Sequence, residues 1–221
     1  MSKRNIGLSQ PAYQHILSLI MTKQLMPGDR IPETRIAEEF NISRTPVRDA
    51  MRQLCNEGLI EIFPNRFAQV QVYSDEAIRE IGTLRVALDT MSVKLAGLYG
   101  SRADFLRLLE TAEQCSSAAA AGDGELRRKY DSEFHFGLAQ IAGNSLLQKF
   151  QKELQLRVQF IQLHHPSPIA NETRHLQQHK DIAAALMEHD ERKALELVCN
   201  HLTTFYNLDD YYPENFFQMT F

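Results

Sequence analysis

Asp131, His135, His179 and His201 are the residues whose types and spacing could do chemistry. Asp131 and His135 stand four apart in a helical stretch and therefore share a face. That face continues through Leu138 and Ala142, with Phe134 and Ile141 alongside. His179 aligns with Leu176, Ala183 and Leu186, and His201 sits in the stripe Ala194, Val198, His201, Phe205. Polar groups in such stripes are costly to bury unless paired. One carboxylate and three imidazoles pointing into one interior would all be satisfied by a divalent cation. Imidazole suits zinc, nickel, iron and copper, and a carboxylate adds hard-oxygen character. Other readings use the same residues. A histidine on a helix stripe can be a core residue bonded to backbone or water, and Asp131 with His135 can be a helical ion pair. His175, one turn before His179, is a rival ligand. His164-His165 suits a helix end, where imidazolium complements the dipole.

A second chemistry lies in Ile42–Leu54, running on to Glu57-Gly58-Leu59-Ile60. Thr45 can cap a helix there, and Pro46 suits the first helical position, where its missing N–H costs nothing. Val47, Ala50, Met51 and Leu54 form the inward face, while Arg44, Arg48 and Arg52 recur every fourth residue as a basic stripe. A positive helix N-terminus flanked by arginines suits phosphates and base edges together.

The elements that must position these residues differ between the two halves. In the first half, Ala12, Tyr13, Ile16, Leu17 and Ile20 mark an amphipathic helix, Met26-Pro27-Gly28-Asp29 a turn, and Thr34–Phe40 a short helix. Asn41-Ile42-Ser43 is the tight turn before the arginine-striped helix, the arrangement that places a second helix in a major groove. Leu59–Phe63 reads as a strand, Pro64-Asn65-Arg66 as a tip, and Val70 and Val72 as a half-buried return strand, which together make a wing. From Ser74, a plausible helix cap, strand signals vanish. Six helices are expected over roughly 75–99, 102–121, 124–142, 144–164, 170–188 and 191–207. Gly100, Gly122-Asp123-Gly124, Gly143-Asn144, Pro166-Ser167-Pro168 and His189-Asp190 break them. The fold expected is mostly α: a winged helix-turn-helix over 1–73 and an antiparallel six-helix bundle over 74–221.

Composition agrees. Net charge is −4, but residues 1–73 hold nine Lys/Arg against seven Asp/Glu, and the remainder fifteen against twenty-one. A slightly positive segment beside an acidic one suits a DNA-binding head on a body that does not touch DNA. Cys55, Cys115 and Cys199 are odd in number and scattered, which fits single thiols in a reducing cytosol. Neither a signal peptide nor an 18-residue apolar run is seen, so a cytoplasmic protein without membrane spans is expected. Tyr206, Tyr211, Tyr212, Phe216, Phe217 and Phe221 crowd the tail, a density that calls for packing against something.

Residues 8–73 resemble the GntR family of bacterial transcription regulators, through Pro27-Gly28, Ser43-Arg44-Thr45-Pro46-Val47-Arg48 and Glu57-Gly58-Leu59 taken together. The resemblance implies a recognition helix over Thr45–Glu57 with base and phosphate contacts on Arg44, Thr45 and Arg48. Arg35, Ser43, Arg52 and the wing-tip Arg66 complete the DNA-binding candidates. The family's wing tip usually carries glycines, where this chain has Asn65-Arg66-Phe67. The second half resembles the FCD effector-binding domain of the FadR-type branch, through Arg85-x-x-Leu88-Asp89, Asp131-x-x-Phe134-His135, Gly143-Asn144, His179-x-x-Ile182 and His201-Leu202. Six helices rather than seven fit the VanR-like subgroup. Metal-binding members hold one divalent cation with an Asp and three His, which fall on Asp131, His135, His179 and His201. Zinc is the first choice, with nickel, manganese or iron as alternatives. The effectors implied are small carboxylates, which Arg85 and Arg157 are candidates to meet because a guanidinium matches a carboxylate bidentately.

The expectation is thus a homodimeric, metabolite-responsive regulator that binds a pseudo-palindromic operator. A metal-dependent enzyme is the rival from another class, since a metal with an open position can activate water. It lacks a clear nucleophile or general base beside the ligands. A regulator with a purely structural bundle is the other rival, and metal analysis separates both from the main reading.

Overall fold

The computed structural model describes residues 3–64, 66–165, 169–213, 216 and 217. Asn65 at the wing tip, the Pro166-Ser167-Pro168 break and Phe221 lie outside the described residues. In chain order the elements are α1 (Lys3–Met21), α2 (Glu33–Glu39), α3 (Arg44–Asn56), β1 (Ile60–Phe63), β2 (Phe67–Val70), α4 (Asp75–Tyr99), α5 (Arg102–Ala120), α6 (Gly124–Ile141), α7 (Ser145–His164), α8 (Ile169–Met187) and α9 (Glu191–Phe205). Among the described residues no helix is long and apolar enough to cross a membrane. The three cysteines are free thiols.

The chain divides into two units. The first joins the residues up to Tyr73 with Leu156–His164 from the end of α7. Its core holds Ile16 and Ile20 from α1, Ile36 from α2, Val47, Ala50 and Leu54 from α3, Ile60 and Val70 from the wing, and Phe160 from α7. Strands β1 and β2 pair antiparallel with Ile60 opposite Val70 and Phe63 opposite Phe67. Ala68 and Val70 face inward and Phe67 and Gln69 are half-buried, the two-residue period of a strand. Residues before α2 extend the sheet edge: Ile31 N–H donates to Ala68 O (2.9 Å) and Val70 N–H to Asp29 O (2.8 Å). Val72 lies past the strand and is exposed, so the return strand is shorter than the alternation suggested.

Helix α3 begins two residues earlier than its capping signals indicate. Ser43, extended at φ −71° and ψ 165°, takes the N-cap position without a side-chain bond, and Thr45 lies inside the first turn. Pro46 is therefore the third helical residue, still within the first turn, where the N–H it lacks would have had no intrahelical acceptor. At the other end all four orphan carbonyls are met. Gly58, at φ +80°, lets the chain reverse so that Gly58 N–H reaches Cys55 O (3.0 Å) and Leu59 N–H reaches Leu54 O (2.9 Å). Arg157 covers the remaining two, with Nε donating to Glu57 O (3.0 Å) and Nη2 to Asn56 O (2.9 Å).

The second unit holds residues 74–155 and those after His164. Its helices start on side-chain caps: Ser74 on Ala77 N–H, Asp123 on Leu126 N–H and Asp190 on Lys193 N–H. Ser101 and Asp104 cap each other's backbone at the start of α5, a capping box. Helix α5 packs on α6 and α8, and α9 on α4 and α8. The aromatic tail packs on its own unit. Tyr206 is buried against Gly82, where an added Cβ would sit 2.5 Å from the ring, so only glycine admits it. Beyond it, Arg79 lies 3.8 Å over the Tyr211 ring, Tyr212 OH is 3.2 Å from Thr83 Oγ1, and Cys199 Sγ donates to Phe217 O (3.4 Å).

Candidate metal centre and nucleic-acid interface

The inward stripes of three helices bring their polar residues to one place. Asp131 and His135 on α6, His179 on α8 and His201 on α9 are all buried. The Nε2 atoms of the three histidines form a triangle: His135 to His179 3.3 Å, His179 to His201 3.1 Å, His201 to His135 3.2 Å. Three facing nitrogens cannot all be paired by one another's protons. A zinc ion at about 2.0–2.1 Å from each nitrogen in a tetrahedral site spaces them roughly 3.3 Å apart, so the donor set fits a divalent cation. Asp131 Oδ1 lies 3.6 Å from His179 Nε2.

His175 joins this group. Its Nε2 is 3.4 Å from Asp131 Oδ1 and its ring stacks on His201 at 3.6 Å between centroids. Asp131, His175, His179 and His201 each place one ligand atom within 4.8 Å of the others. Five donors therefore converge, with His135 closing the imidazole triangle and His175 contacting the carboxylate.

The surroundings orient the rings. His201 Nδ1 lies 3.4 Å from Gln178 Oε1, and His135 Nδ1 lies 3.3 Å from Asp89 Oδ1, close but without hydrogen-bond alignment. Protons held on those Nδ1 atoms leave Nε2 with its lone pair. Asp89 is held in turn by Gln151 Nε2 (2.6 Å) and Arg85 Nε (3.3 Å). Phe134 stacks on His179 at 4.4 Å and Phe205 lies 5.4 Å from His175, so the walls are apolar. Burial pushes the pKa values of His175, His179 and His201 down, for His179 and His201 well below the usual imidazole value. Burial would raise that of Asp131, but the bond from His175, the facing His135 and His179 and the Arg85 charge hold it well below the usual carboxylate value.

Arg85 is buried beside the histidines. Its Nη1 donates to Tyr206 OH (3.2 Å) and its Nη2 lies 3.8 Å from Asp131 Oδ2. Burial disfavours its charge, but Tyr206, Asp89 and Asp131 outweigh that and raise its pKa. Arg157, the other arginine proposed for an effector, is not brought to this cluster. It belongs to the first unit, where its guanidinium is spent on the α3 carbonyls. Its place on an amphipathic helix carried no sign of that partner. Sequence reasoning gave no role to Asp89, which it named only within the Arg85-x-x-Leu88-Asp89 motif, or to Gln151. The i,i+4 spacing of Arg85 and Asp89 was a usable signal for the first, and nothing in the local pattern singled out Gln151.

In the first unit, Arg35, Ser43, Arg44, Thr45, Arg48, Arg52 and Arg66 are all exposed. Arg48 Nε donates to Glu33 Oε1 (2.8 Å), and Arg52 Nη1 to Asp49 Oδ1 (2.9 Å). Arg66 follows β1 at the wing tip, with its N–H on Phe63 O (3.1 Å).

Residues 8–70 match the model of the family described as bacterial regulatory proteins, gntR family, and residues 80–204 match that of the FCD domain. The Uxu operon transcriptional regulator of Escherichia coli (strain K12) is 30% identical, covering 91% of this chain and 89% of that one. The Nta operon transcriptional regulator of Aminobacter aminovorans is 27% identical over 80% of this chain and 82% of its own. Among solved structures, a putative transcriptional regulator GntR from Rhodococcus sp. RHA1 superposes with a TM-score of 0.76 at 21% identity, covering 90% of this chain and 96% of that one. E. coli McbR/YncC follows with 0.73 at 21%, covering 94% and 97%. These two speak for the fold.

Proposed function

Since the chain belongs to the GntR family of bacterial regulatory proteins, with an FCD domain behind its DNA-binding head, we propose that this regulator senses a small carboxylate through a divalent metal and answers by releasing or engaging operator DNA. The observation that carries the reading is the triangle of His135, His179 and His201 Nε2 atoms beside Asp131. Asp131, His135, His179 and His201 would hold the ion, with His175 as a further donor on Asp131. Zinc is the first candidate, and nickel, manganese or iron fit the same donors. When bound, the ion supplies a Lewis-acidic position for a ligand oxygen. The residues do the rest. With neutral imidazoles, Asp89, Asp131 and Arg85 leave the cluster at a net −1, which repels an acid. A divalent ion reverses that sign in a buried setting where charges are less screened. Arg85 is the guanidinium placed to take the effector's carboxylate, exchanging its bond to Tyr206 for it. Arg85 and Tyr206 come from opposite ends of the unit's sequence, so an effector that takes Arg85 from Tyr206 gains affinity only in one arrangement of α4 and the tail.

The head would read a pseudo-palindrome through Arg44, Thr45 and Arg48 on α3, with Arg35, Ser43, Arg52 and Arg66 on the backbone or minor groove. Relatives named as operon regulators support this reading. Two-fold operators call for a dimer. The second unit offers an apolar face for one: Leu84, Met91 and Leu98 on α4 and Leu146 and Phe150 on α7 are exposed, while Leu88 and Leu95 pack against the cluster of Ala139, Ala142 and Leu147. Such a regulator works in the cytoplasm, where the operator is. The test is metal analysis of purified protein, followed by titration of small organic acids into metal-loaded and chelator-treated samples. The reading expects about one ion per chain and binding only in the loaded form. Full thermal stability and equal acid affinity without metal would favour a purely structural bundle.

A further inference from the structure

Arg48 and Arg52 lie one turn apart on the exposed face of α3, yet their guanidinium groups are held in different ways. Arg52 spends a terminal nitrogen, Nη1, on Asp49 of its own helix. Arg48 spends only Nε, and its partner is Glu33 in the first turn of α2, fifteen residues away. The Arg48 side chain remains 57% exposed while Glu33 is 24% exposed, so the carboxylate is the fixed half of the pair. An exposed ion pair of this kind adds little to stability. What it does is geometric. A carboxylate on Nε sets the plane of the guanidinium and leaves the two terminal nitrogens as a fork, the shape that meets guanine O6 and N7 bidentately.

We propose that Glu33 is a positioning residue for sequence readout, holding Arg48 so that its terminal nitrogens read one guanine. The inference rests on the DNA-reading role given to α3 above. A free arginine on an exposed helix samples many rotamers and must be ordered on binding, and it serves any phosphate as well as a base. Fixing it through Nε removes part of that ordering loss for the guanine contact alone. The Glu33 charge also stands against the phosphate backbone, which weakens binding to sequences that offer Arg48 no base partner. Both effects raise specificity rather than overall affinity. Relieving the ordering loss of one long side chain corresponds to roughly 3- to 10-fold in discrimination.

The test uses the full-length chain and a library of duplex DNA with a randomised central segment, selected and sequenced at fixed salt. Wild-type protein defines the preferred site, and Arg48→Ala identifies the base pair that Arg48 reads. Glu33→Ala should lower preference at that same base pair roughly 3- to 10-fold, leave other positions unchanged, and bind unselected DNA more tightly. Glu33→Gln, which keeps an oxygen acceptor without the charge, should lie between. In an Arg48→Ala background, Glu33→Ala should have no further effect on that base pair. Thermal midpoints should match wild type, so a folding defect does not imitate the result. Unchanged preference in both Glu33 variants, or a change at a base pair that Arg48→Ala leaves alone, overturns the proposal while keeping the DNA-reading role of α3. If Arg48→Ala itself leaves the profile of wild type untouched, the role of Arg48 falls and this inference with it.

Discussion

Acid should unfold the metal-free protein in a window set by its buried histidines. His175, His179 and His201 are held below the usual imidazole value of 6.5, chiefly by burial. A histidine with a depressed pKa binds fewer protons folded than unfolded, so stability is complete above about 6.5 and falls as the pH drops below it. Each contributes at most about 1.4 kcal/mol per pH unit. That slope is approached only well below 6.5, so three acting together give at most about 3 kcal/mol between pH 6.5 and 5.5, against a net stability of roughly 5–15 kcal/mol for a domain. Asp131, whose pKa is also depressed, has the same sign but acts only below its ordinary value of 3.8. At about 2–4 °C per kcal/mol for a chain of this size, the midpoint should fall by up to roughly 6–12 °C over that unit of pH. The assay is thermal unfolding of chelator-treated protein at pH 7.5, 6.5 and 5.5, beside zinc-loaded protein. Zinc-loaded samples should hold their midpoint further into acid, because protons must displace the ion before they act. His201→Gln should remove about a third of the slope in the chelated form. A chelated midpoint that is flat from pH 7.5 to 5.5 would refute the reasoning, because it would mean that these rings are solvated in the native state.

Three further outcomes are expected. Arg44→Ala should weaken binding to the selected operator by roughly 1–3 kcal/mol at fixed salt, measured by fluorescence anisotropy, if it contacts a base. Asp89→Asn removes the carboxylate that faces His135 and should lower zinc affinity roughly 10- to 100-fold in a competition titration against a chelating dye, with folding intact. Leu98→Lys, at an exposed leucine of α4, should halve the mass seen by light scattering at micromolar concentration, and an unchanged mass would move the dimer contact elsewhere.

The helices were legible because their signals are local. Ser74, Ser101, Asp123 and Asp190 cap helices that the apolar period had already marked. The inward aspartate and histidines were legible for a related reason: a polar residue in an apolar stripe needs a partner wherever the stripe ends up. The rest depended on distant neighbours. Thr45 looked like a cap because cap chemistry is a matter of residue type, whereas the helix start is set by the backbone of Ser43. Arg157 looked like a carboxylate binder because its stretch of α7 gives no hint that two α3 carbonyls lie within its reach. The tail's packing turns on Gly82, whose meaning appears only once Tyr206 is seen against it.

The DNA-binding unit is not written in one piece. Phe160, with none of its surface exposed, fills the same core as Ile16 and Leu54, and Arg157 closes the end of α3, yet both are encoded more than eighty residues after Tyr73. A gene segment ending at residue 73 would carry every arginine proposed to read DNA and still lack a core side chain and the cover of two helix-end carbonyls. Swapping heads between such regulators by a single crossover at that point would leave the recipient with someone else's Phe160 and Arg157. Point changes on the exposed face of α3, by contrast, leave that core and that helix end as they are.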